Sequence, residues 1–335
     1  MTLLNNTITT KKSKIKTDIG SVFLSIMILI VMLLILLDPV TYSKSVVRGL
    51  NLYFLCVLPG LLPFMFLIKQ LTNQNVILKV CKPFNTLSKK LFGVNKNGFY
   101  AFLMSALSGY PIGAKITSDL YSQNQIQDNE LLKTAIFSST PGLIFVIGSV
   151  GGLMLKNIKL GLYIYFLNIF SVIISSFLIN LFSEKDNQTK NIKTTIINKQ
   201  QTLGSITQDT TISLLSVGFY IALFSLIIDL LTNLNIFSFI PTLFHFSSEK
   251  TSFFNSVMSG IVEMTNGLKL LSTSLSPLSF AFISSIISFS GISIIMQSLS
   301  FLSETRLKPY KFILGKLFQA LICFLISFLF SLIIF

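Results

Sequence analysis

Apolar residues along this chain gather in runs of 18 to 25, parted by short stretches in which most of the lysines fall. A helix needs ~20 consecutive apolar residues to cross the hydrocarbon core of a bilayer. Each run is therefore long enough to enter a membrane. Five are the least interrupted: 20–37, 46–68 (which holds Pro59 and Pro63), 160–182, 210–232 and 312–335. They predict spanning helices. None shows the strict polar–apolar alternation of a membrane β-barrel.

Four other runs are broken in their middles. Run 98–121 contains SGYPIGAK, Ser108 to Lys115. Run 131–155 contains SSTPG, Ser138 to Gly142. Run 253–275 contains SGIVEMTNGLKL, with Glu263, Asn266, Gly267 and Lys269. Run 278–302 contains SFSG, Ser288 to Gly291. Proline removes a backbone donor and clashes with the preceding turn, and glycine weakens a helix interior. A lysine at membrane depth costs ~2.5–3.5 kcal/mol on insertion scales. Irregular backbone at that depth is tolerated only inside protein or beside a water-filled cavity. The competing reading of SGYPIGAK is a proline kink whose Lys115 amine snorkels to the interface.

The parts recur in one order: a span, a broken segment carrying G-x-K, a span broken at a Ser-rich glycine, and another span. Gly113-Ala114-Lys115 matches Gly267-Leu268-Lys269, Gly142 matches Gly291, and Leu71-Thr72 matches Leu231-Thr232. Interrupted segments at corresponding positions of two halves are the sequence mark of a transporter site. Half-helix N-termini then turn N–H groups and positive dipole ends inward. The predicted fold is an all-α polytopic membrane protein of two inverted repeats, each with a re-entrant hairpin and a broken transmembrane helix. Its divisions are a basic tail at 1–19, a first span at 20–37, repeats at 46–182 and 210–335, and a polar linker at 183–209.

Composition agrees. Hydrophobic residues make up 52% and charged residues 11%, with mean hydropathy +0.76, against about 25% charged in soluble domains. The net charge of +14 does not indicate nucleic acid, because the lysines flank spans and no basic patch interleaved with aromatics is present. Stretch 69–97 holds six lysines and no acid, the pattern of an interfacial helix on anionic lipid. Cys56, Cys81 and Cys323 are isolated, and His245 is the single histidine. Neither a zinc site nor a redox pair is expected, and no cofactor. With no phosphate-binding loop and no Ser-His-Asp set, an enzyme is not expected.

Charge also orients the chain. With both G-x-K segments as hairpins, the cytoplasmic side holds 17 Lys and Arg against 5 outside. With both as full crossings the totals are 16 and 6. Either way the N-terminus is expected in the cytoplasm. The hairpin model puts 183–209 on the cytoplasmic side and the crossing model puts it outside.

GLNLYFLCVLPGLLPFMFLIKQL, SGYPIGAK and TPGLIFVIGSVGG, followed by SGIVEMTNGLKL and SFSGISIIMQSLSFL, resemble the YlbJ-type sporulation integral membrane proteins of the nucleoside-recognition, or gate-domain, group. The likeness covers residues 46 to 302. It implies a transporter of dipicolinic acid across the outer forespore membrane during sporulation. Under that reading Lys115 and Lys269 neutralise a small anionic substrate. N–H groups near Gly109, Gly113, Gly142 and Gly291 bind its carboxylates. Ser108, Ser139, Thr140, Asn266 and Ser290 complete the polar shell, and Gly267 is counted among the substrate-binding residues. Glu263 is either the ion partner of Lys269 or a coupling group, and Gln297 either faces the site or bonds a neighbouring helix. The lipid bilayer is the certain partner, and the reading leaves room for a coupling ion and an oligomer. The alternatives are a nucleoside-type solute transporter and a non-transporting structural protein of the spore cortex or envelope.

Overall fold

The computed structural model describes residues 19–73, 81–182 and 202–335. The basic tail and residues 183–201 of the linker lie outside these. The chain forms two compact units, residues 1–44 and 45–335. In the first, α1 (Ile19–Leu37) is a 19-residue apolar helix. Asp38 follows and accepts the Thr41 N–H at 3.1 Å, capping the start of α2 (Pro39–Leu52).

In the second unit, α2 winds through a π-helical turn, Tyr53–Val57, into α3 (Leu58–Asn73). Pro59 lacks the N–H that would bond one turn back, and a widened turn ahead of it absorbs the loss. Helix α4 (Asn85–Phe92) is the short basic helix foreseen in 69–97, ending at left-handed Gly93.

Next come two arms, α5 (Lys96–Ser108) and α6 (Ile112–Ser122). They fold back on each other, because a Cβ on Gly113 of the second arm would meet Ser105 of the first at 2.9 Å. The tip is Gly109 (φ 91°), Tyr110 and Pro111, with a cis Tyr110–Pro111 bond. Helix α7 (Asp128–Phe137) follows, stops before SSTPG, and resumes as a π-wound half-helix, Phe145–Met154. Helix α8 (Ile158–Phe182) closes the first series.

The second series repeats this order. Helix α9 (Leu203–Asn233) begins inside the stretch expected as linker, because Thr202 caps it by accepting the Ser205 N–H at 3.3 Å. Both α3 and α9 end in Leu-Thr-Asn. After the short α10 (Phe239–Leu243), α11 (Ser248–Val262) and α12 (Met264–Leu271) fold back on each other. Helices α13 (Pro277–Phe289) and α14 (Gly291–Leu302) form a second broken rod, with Ser290 left-handed at φ 81°. Helix α15 (Pro309–Ile334) closes the chain.

Among the described residues, five helical stretches have the length and apolarity to cross a membrane: Pro39–Leu71, Ile158–Phe182, Leu203–Asn233, Pro277–Leu302 and Pro309–Ile334. All described secondary structure is helical. Helix α3 packs on α9, and α8 on α15. Each hairpin's second arm also meets the other series: α6 packs on α14, and α12 on the Phe145–Met154 half-helix.

Candidate functional site

Both hairpin tips rest against helix breaks. At the first, Tyr110 N–H donates to Thr140 O at 2.9 Å, and Ser105 Oγ lies 3.3 Å from both Thr140 N and Thr140 O. Gly109 and Gly142 pass so closely that a Cβ on either would meet the other's backbone within 3.0 Å. At the second, a Cβ on Gly291 (φ 72°) would meet Met264 N at 2.9 Å. The tips also meet each other, since Tyr110 Oη lies 2.9 Å from Met264 Sδ and 3.2 Å from Ile287 O.

Between them lies a cavity of about 30 Å³, lined by Gly109, Tyr110, Gly142, Phe145, Glu263 to Thr265, Ser293, Ile294 and Gln297, with apolar walls from residues including Val57, Leu61, Val217 and Ile221. The starts of three half-helices reach its lining, the π-wound segment at Phe145, α12 at Met264 and α14 at Ser293, beside the first hairpin's tip at Gly109 and Tyr110. Each carries N–H groups without an intrahelical acceptor and the positive end of a dipole. Ligand sites usually span ~300–1,000 Å³, so this arrangement is closed around its centre.

Glu263 is fully buried at the second tip. It takes N–H groups from Thr265 at 3.0 Å and Asn266 at 2.7 Å, plus Asn266 Nδ2 at 2.8 Å. It is thus the N-cap of α12 and forms no ion pair with Lys269. That lysine is exposed, away from the cavity, while its neighbour Leu268 is buried. Lys115 is half-buried and also outside the cavity lining. It lies in one charged cluster with Lys69, Asp119 and Asp209. The two lysines expected to meet at the centre do not meet there. Each sits on its hairpin's second arm, off the cavity lining.

The glycines of the two G-x-K elements are not breaks either. Gly113 sits within α6 against the Ser138 carbonyl, and Gly267 within α12 against Gly260. The second break is at Glu263, four residues before the expected glycine. Ser108 spends its hydroxyl on Met104 O at 2.6 Å. Asn266 Nδ2 also reaches Ser225 Oγ at 2.7 Å. The Thr140 and Ser290 hydroxyls are buried without a hydrogen-bond partner among the described residues. Gln297 both lines the cavity and donates to Ser216 Oγ at 3.1 Å.

One residue went unforeseen. Lys316 of α15 is fully buried, its Nζ 2.9 Å from Ser139 O and 3.1 Å from Gln319 Oε1. In the sequence it follows Lys308 and Lys311 and resembles one more flanking charge.

The sporulation integral membrane protein YlbJ of Bacillus subtilis (strain 168) is 28% identical over 300 residues, covering 81% of this chain and 73% of that protein. This likeness supports YlbJ-type family membership. No family model matches it, and no solved structure does. The YlbJ-type assignment agrees with the apolar helices, and the chain is an integral membrane protein. In this chain SGYPIGAK forms a hairpin tip and the turn after it, and SSTPG is the backbone that receives that tip.

Proposed function

We propose that the protein is a carrier for a small anionic solute, with dipicolinate as its substrate at the outer forespore membrane. The observation that carries this reading is the meeting of three half-helix N-termini and the first hairpin's tip on one cavity. Such ends favour anions without any basic side chain, and discontinuous helices at matching positions are how transporters build midplane sites. The hairpins are then re-entrant and the two series are inverted repeats. The reciprocal packing of α6 on α14 and of α12 on the Phe145–Met154 half-helix supports that symmetry. Access requires the tips to part, because Tyr110 ties the first tip to Met264 and Ile287 of the second series.

A second reading has its own support. Lys115 and Lys269 stay off the cavity wall, whereas Glu263, Gln297, Ser293 and Tyr110 are on it. That set of hydrogen-bonding groups suits a neutral, nucleoside-like solute.

Flux into vesicles reconstituted with the purified protein tests both. Dipicolinate uptake above empty-vesicle controls, unmatched by uridine, is the expected result. Glu263→Gln replaces the acid on the wall with an amide of the same shape and is expected to keep or raise dipicolinate uptake. Uridine uptake alone would favour the second reading, and no uptake of either would remove the carrier reading.

A further inference from the structure

Lys316 has no part in the proposed solute site, yet it is the most completely enclosed charge-bearing amine described in the molecule. Its side chain is fully buried, and no carboxylate pairs with it among the described residues. Its partners are two neutral oxygens, Ser139 O at 2.9 Å and Gln319 Oε1 at 3.1 Å. Ser139 lies just past the C-terminal end of α7, where the chain has left the helix. The last carbonyls of a helix carry its partial negative charge. Unwound carbonyls and half-helix C-terminal ends at a break are the groups with which discontinuous-helix proteins coordinate monovalent cations. Gly315 brings α15 close to α7 here, its missing side chain leaving room for Ile136. The Gln319 amide nitrogen has no hydrogen-bond partner among the described residues. An amide nitrogen cannot ligate a cation, but Ser139 O and Gln319 Oε1 can.

We propose that Lys316 is a tethered cation filling a monovalent-cation site at the first helix break. The ammonium takes the place a sodium ion would hold, so the native protein binds no sodium there. Removing the side chain, while leaving the carbonyl and amide oxygens, opens that site to a free monovalent cation.

The test uses thermal melting of the full chain in detergent, in sodium, ammonium or choline chloride at equal ionic strength. A cation that binds only the folded state raises Tm in a saturable way. The native protein is expected to melt at the same temperature in all three salts. Lys316→Ala is expected to melt lower in choline and to be restored, saturably, by ammonium or sodium. Lys316→Met, which fills the space without a charge, is expected to stay indifferent to all three. Sodium stabilisation of the native protein overturns the proposal. So does a folded Lys316→Ala that ignores every cation, or one that cannot be recovered in any of the salts. A flux arm rests on the carrier reading: native uptake is expected to be sodium-independent and Lys316→Ala uptake sodium-dependent. If no solute moves at all, the carrier reading falls and the melting arm still decides the cation site.

Discussion

Gly113 and Gly142 look alike in the sequence and are used differently. Gly142 belongs to the unwound SSTPG segment, where backbone passes backbone against Ser108 and Gly109. Gly113 is inside a helix, and its hydrogen atom is all that fits beneath the Ser138 carbonyl. Gly113→Ala is expected to lower stability by ~1–3 kcal/mol through overpacking. Gly148→Ala is the contrast, since its Cβ would meet nothing nearer than 3.7 Å, and that variant is expected to melt no lower than the native protein. Paired melting curves check both. At this scale the sequence is a partial guide. Glycine, proline and serine clusters inside apolar runs mark three of the four interruptions, because each disfavours a helix on its own. Glu263 escapes that logic: an acidic N-cap ends one helix by starting another, and nothing local distinguishes it from an ion partner. Lys115 and Lys269 reveal their depth but not their azimuth, and Lys316 reveals neither. Which side of a helix faces a cavity depends on neighbours hundreds of residues away.

Among the elements, the first hairpin is held at its base as firmly as at its tip. Asn95 Oδ1 caps α5 by accepting the Asn97 and Gly98 N–H groups at 2.8 and 3.1 Å. Its Nδ2 donates to Gln125 O and Glu130 Oε2, both at 3.0 Å. The same Glu130 carboxylate takes the Gln127 N–H at 3.2 Å, closing the cap of α7. One asparagine thus joins the first arm to the start of the broken helix that receives the tip. Asn95→Ala removes a cap and leaves a buried carboxylate short of a donor, at ~1–3 kcal/mol. The expected result is a lower melting temperature with faster proteolysis between residues 122 and 128, where α6 gives way to α7. Element order was legible because spacing and interruption recur in both halves. The π-wound stretches Tyr53–Val57 and Phe145–Met154 were not, because one extra residue in a turn leaves no mark in an apolar pattern. The early start of α9 depends on one capping threonine within a polar stretch.

For the molecule as a whole, the two series are joined through the segment at 183–201. Inverted repeats require an odd number of crossings in the first repeat; with the separate first span expected at 20–37, the total before the segment is even and puts it on the same side as the N-terminus. A cysteine placed there, in a chain whose native cysteines are replaced, is expected to be shielded from an impermeant thiol reagent in intact cells and labelled after lysis. Labelling in intact cells would mean parallel repeats and would remove the inverted arrangement. The contact that closes the centre is a single aromatic side chain, Tyr110, spanning from one half to Met264 and Ile287 of the other. The chain contains no tryptophan. Its ultraviolet emission therefore comes from tyrosine and phenylalanine alone, and an indole placed at position 110 would be the sole red-shifted fluorophore. The junction between the halves can thus carry an optical reporter against a dark background, whose wavelength, on the carrier reading, follows how wet that junction becomes as the tips part.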